Sequence, residues 1–117
     1  MQLPSNEIYE SLLLGSCLNS FNAANDCLLR LDEGDFMNHQ NKSILGALKS
    51  FYKEAASLDF LLFIEYLKKT DSLEKCGGIS RISNISASVG VVYDYDRYFE
   101  EIKNLSAIRK LILINKD

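Results

Sequence analysis

Apolar residues recur along this chain mainly at intervals of three and four. That is the period of helices packed by one face, and it predicts an all-α fold. Ile8, Leu12, Leu13, Leu14, Cys17 and Leu18 make the stretch from Glu7 to Leu18 apolar nearly all round, the pattern of a central, buried helix. Ser5 or Asn6 supplies its cap, and Glu7 and Glu10 lie near its positive end. Gly15 costs this helix stability, so it is predicted to allow close approach by a neighbour. A second helix is predicted over Asn22 to Leu31, with Ala24, Cys27, Leu28 and Leu31 on one face. Gly34 is read as its stop and Asp35 as the next start signal. The third runs from His39 to Ala55, with Ile44, Leu45, Leu48, Phe51 and Tyr52 as its core stripe.

The segment LDFLLFIEYLKK fits a buried strand or a helix. Asp59 as N-cap and Lys68-Lys69 at the negative end favour a helix, with Phe60, Phe63, Ile64 and Leu67 on one side. In TDSLEKCGG, Asp71 is read as capping a single turn, Glu74 as the capping-box partner and Gly77-Gly78 as its end. A short helix over Ile79 to Ile85 and a loop from Ser86 to Val92 follow. Asp94 opens the longest helix, Tyr95 to about Asn115, roughly 30 Å at 1.5 Å per residue. Tyr98, Ile102, Leu105, Ile108 and Ile112 step along one side of it. It ends in LILIN without a glycine stop, so either this end packs back on the core or the natural chain continues.

Composition narrows the chemistry. A chain of 117 residues with 47% apolar and 25% charged residues fits one domain with a true core. Cys17, Cys27 and Cys76 are odd in number and form no C-x-x-C pair, which reads as reduced, buried thiols in a cytoplasmic protein. His39 is the sole histidine, so neither a Cys/His nucleophile nor a metal site is expected. The carboxylate pairs Asp32/Glu33, Asp94/Asp96 and Glu100/Glu101 are explained by caps and solvated faces. The double glycine is not followed by a phosphate-loop lysine. No cofactor is therefore expected. A net charge of −3 argues against a general nucleic-acid clamp. Leu14-Gly15-Ser16-Cys17 could pass for a lipoprotein cleavage box. Met1 to Ser11 has no Lys or Arg, however, and the apolar run is short. No segment reaches the ~20 apolar residues of a membrane span.

The order of these residues resembles the N-terminal domain of DnaB-like replicative DNA helicases. The likeness runs through Leu3-Pro4, Glu10, Leu14-Gly15-Ser16, Asp35-Phe36, Ile44, Ala47, Asp59, Leu67, Leu73-Glu74, Gly77-Gly78, Asp94 and Tyr98. Departures are Ile8 in place of an acid, Asn41 in place of a His, Leu62 in place of a Thr, and a loop at 86–92 without Pro. The resemblance implies a compact orthogonal helical bundle, the head (1–93), followed by a long C-terminal helix (94–117). That helix would be the first arm of a dimerising helical hairpin whose return arm is missing or cut short. It implies a collar of a hexameric helicase that joins subunits, as a dimer and then a trimer of dimers, and docks primase, with a helicase loader as a further partner. DNA and ATP would be handled by a separate RecA-like domain, so this piece is not an enzyme. Under this reading Tyr98, Ile102, Leu105, Ile108 and Ile112 form the interface between subunits. Leu14, Gly15, Phe36, Leu48, Tyr95 and Phe99 hold the core and dock the arm. The alternative is a stand-alone helical adaptor or DNA-binding module. Its best basic set is Lys103, Arg109, Lys110 and Lys116, diluted by Glu100 and Glu101.

Overall fold

The computed structural model describes residues 2–55, 59–89 and 94–115. Its regular elements are helical: α1 (Glu7–Asn19), α2 (Phe21–Cys27), α3 (His39–Glu54), α4 (Phe60–Lys69), α5 (Gly78–Ser88) and α6 (Tyr95–Ile114), with 3-10 turns at Leu28–Arg30 and Glu33–Asp35. No strand occurs among the described residues.

Local chemistry sets most helix starts. The side chains of Asn6, Ser20, Asn38 and Asp59 each accept from a backbone N–H in the first turn of α1, α2, α3 and α4, satisfying donors that the helix itself cannot. Asp94 precedes α6 but makes no such bond. The α4–α5 joint differs from the expected capped turn. Asp71 adopts φ 54°, and the Ser72 and Asp71 amides donate to the Leu67 and Lys68 carbonyls. This closes α4 in the left-handed manner usual for helix ends. Gly77, at φ 97°, repeats it: the amides of Gly78 and Gly77 donate to the Leu73 and Glu74 carbonyls. Helix α5 then runs on through Ser88, so Ser86–Ser88 are its last turn rather than loop. Val89 follows in extended conformation as its C-cap, and the remainder of that predicted loop, 90–92, lies outside the described residues.

Helix α1 packs against α2, α3, α5 and α6, and its Leu13, Leu14 and Cys17 are fully buried. Leu28, Leu31 and Phe36 come from one side, Ile44, Leu45, Leu48 and Phe51 from α3, Phe63, Ile64 and Leu67 from α4, and Ile82 and Ile85 from α5. Phe51 meets the Phe63 and Tyr66 rings at 5.4 Å, a favoured aromatic spacing. Gly15 earns its place in mid-helix by proximity. A Cβ there would stand 2.5 Å from the Ile85 carbonyl oxygen and 2.7 Å from Val89 Cγ2, so the absent side chain lets α5 lie against α1. One expectation fails on α1: Ile8 is 72% exposed, with no element among the described residues covering it.

Candidate functional site: the docked and free ends of α6

The twenty-residue α6 divides into a docked part and a free end. Tyr95 is partly buried and donates to Asp26 Oδ2 at 2.5 Å. That bond pushes the phenol up to about 12. Phe99 and Ile102 are buried in the core, the Arg30 guanidinium covers the Phe99 ring at 4.3 Å, and Tyr98 meets Tyr9 edge-on at 5.2 Å. The next two buried positions on this face, Ser106 and Arg109, are polar.

Both polar residues meet the Glu33–Asp35 turn. Asp35 is 1% exposed. Its Oδ1 accepts from Ser106 Oγ at 2.7 Å, and its Oδ2 accepts from Lys103 Nζ at 3.0 Å and from the Asp32 amide at 2.9 Å. Lys110 Nζ stands 3.9 Å from Oδ1. Burial alone would raise the Asp35 carboxyl; the Asp32, Ser106 and Lys103 donors outweigh it and hold the group below the usual carboxylate range. Arg109, 5% exposed, donates to the Asp35 carbonyl at 2.8 Å, the Gly34 carbonyl at 3.3 Å and the Pro4 carbonyl at 3.0 Å. Asp35 is thus the acceptor at the centre of a clasp on α6, and not the start of α3, which Asn38 caps. Sequence reasoning missed this role. The available signal was the 99–102–106–109 spacing, which puts Ser106 and Arg109 on the same stripe as Phe99 and Ile102.

A second buried carboxylate ties the body together. Glu10 is fully buried and accepts from the Met37 and Asn38 amides at 2.8 and 3.3 Å and from Asn41 Nδ2 at 3.1 Å. Asn41 Oδ1 in turn accepts from Arg81 Nη2 at 2.6 Å. The chain joins α1, α3 and α5 by polar contacts and leaves no buried side-chain polar atom unpartnered among the described residues.

Beyond Arg109 the helix outruns the body. Leu113 follows Ile102, Ser106 and Arg109 on the docked face, yet it is 53% exposed. Ile108, Leu111 and Ile114 are exposed on other sides, and Ile112 is half-buried. The expected seam therefore splits. Ile102 is 1% exposed against its own chain and is corrected from interface to core, and Tyr98 is partly buried against that core. Leu105 is half-buried, and Ile108 is open. At 100° per residue the seam of Leu105, Ile108 and Ile112 runs about 60° or more to one side of Ile102, so docking through Ile102 leaves it near the rim. Leu14, Phe36, Leu48 and Phe99 lie in the core, and Gly15 lies against Ile85 of α5 and Val89.

Other chemistry is sparse. Burial pushes all three free thiols up, Cys27 to about 11, which keeps them protonated near neutrality. No group of three His, Cys, Asp or Glu among the described residues could hold a metal ion. No described helix is long and apolar enough to cross a membrane. Arg109 is buried and Lys103 is bound to Asp35, so neither contributes to the exposed basic face a DNA reader needs.

The family profile described as "DnaB-like helicase N terminal domain" matches residues 2–104. The fold is similar to that of a solved structure, the crystal structure of the N-terminal domain of DnaB helicase from Mycobacterium tuberculosis. That similarity has a TM-score of 0.86 at 23% identity, over 95% of this chain and 77% of that one. A search of curated proteins finds no match. With nearly the whole length matched by the profile, this chain belongs to the DnaB-like helicase N-terminal domain family.

Proposed function

We propose that this domain is the non-catalytic collar module of a replicative DNA helicase. It joins subunits through α6 and docks primase in the cytoplasm, with a helicase loader as a further partner. ATP hydrolysis and DNA translocation reside in a separate RecA-like domain of the parent protein. Residues 1–93 act as the head and 94–117 as the associating arm.

The observation that carries this reading is the free end of α6. Ile108, Leu111, Leu113 and Ile114 are 45 to 76% exposed on consecutive turns of one helix. Exposed apolar side chains gathered round one helix end mark a protein contact, and the same end presented by two copies allows the two-fold pairing usual for homo-oligomers. The contact set is therefore Leu105, Ile108 and Ile112 with Leu111, Leu113 and Ile114, without Ile102. Amide NMR spectra recorded on dilution test it. Concentration-dependent shifts confined to 105–115 are expected; spectra that do not change over a wide concentration range would contradict self-association.

A further inference from the structure

The body and α6 are held by different forces. Among the described residues, Phe99 and Ile102 are the only buried members of the apolar core that α6 supplies; every other buried member precedes Asp94. The second half of its docked face is the clasp, in which Lys103, Ser106 and Arg109 reach Asp35 and the carbonyls of Pro4, Arg30, Gly34 and Asp35. None of these groups belongs to the Glu10–Asn41–Arg81 chain that ties α1, α3 and α5.

We infer that the part of α6 after Lys103 is a latch, released from the body as a unit when the Asp35–Ser106–Arg109 clasp opens, with α1 and α3 staying folded. A buried polar network that is satisfied only when complete opens all at once, because a half-made one leaves charges without partners. The buried apolar core keeps both its α6 members, Phe99 and Ile102, because they precede the latch. Local opening of this kind follows from few apolar contacts and many directional ones. Closed, the clasp fixes the direction in which the free end points; open, it lets that end swing. The inference holds whether or not the free end pairs with a second copy.

Hydrogen exchange read by mass spectrometry tests this on the full chain carrying Leu111→Asp, so that association cannot hide release. Arg109→Met leaves three carbonyls without their donor. It is expected to speed exchange over 103–114 by about tenfold or more, with α1 and α3 unchanged. Ser106→Ala, a milder change that keeps the fold if Arg109→Met does not, is expected to speed the same segment by a smaller factor. Equal acceleration in α1 and α3 would show a single cooperative unit, and no acceleration in either variant would show that the clasp does not hold the helix. Either result overturns the latch.

Discussion

Helices α1 and α6 bury themselves in opposite ways. On α1 the apolar positions past the first turn go inside, led by Leu13, Leu14 and Cys17 at 0% exposure, with Glu10 as the one buried charge. On α6 the buried face is half polar, with Ser106 and Arg109 inside while Leu111, Leu113 and Ile114 stand in solvent. The difference is one of surroundings. Four helices pack on α1, so hydrophobicity decides which side faces in. The body ends partway along α6, so position along the helix decides exposure there, and a polar turn decides what is buried.

The contrast can be broken most forcefully at α1. Leu14→Asp would place an unpartnered charge in the most crowded part of the core, a loss of several kcal/mol. Circular dichroism should show the cooperative thermal transition gone, and an unchanged melting temperature would remove α1 from the centre. Asp35→Asn comes next. It keeps the shape but leaves Lys103 and Lys110 without their carboxylate, at a cost of about 1–3 kcal/mol in urea unfolding.

That effect carries a pH signature. The folded Asp35 value is depressed, so its stabilisation is complete above the unfolded value of about 3.9 and fades as pH falls below it. Wild type should lose stability in that acid window more steeply than Asp35→Asn, and parallel curves would place the carboxylate outside the clasp. Gly15→Ala should be smaller, about 1 kcal/mol net, since crowding at the Ile85 carbonyl exceeds the gain in helix propensity. A stabilised variant would show that α5 can yield. Smallest is Leu111→Asp, expected within about 0.5 kcal/mol of wild type; a large drop in melting temperature would mean that the free end is docked after all.

The all-α class, most helix starts and the α3 and α4 core stripes were legible because caps and three-four periodicity are local signals. Asp59 settled the strand-or-helix question at Phe60–Ile64 by accepting from the Leu61 and Leu62 amides. What the sequence did not disclose was long-range. Asp35 reads as a helix start until Ser106 and Lys103, about seventy residues away, are seen to turn toward it. Ile102 reads as one more interface position because a single helix does not reveal where its neighbours stop. The left-handed Asp71 was hidden for another reason: an N-cap and a helix-ending residue can share the same side chain.

The central claim is that the free end of α6 is covered by a second copy of this chain. Sedimentation equilibrium over a wide concentration series, comparing wild type with Leu111→Asp/Ile114→Asp, addresses it most directly. Wild type is expected to rise above the 13.2 kDa of one chain as concentration increases, while the double variant stays at that mass with its fold intact. A wild type that remains at 13.2 kDa throughout, or a double variant that associates equally well, would contradict the account.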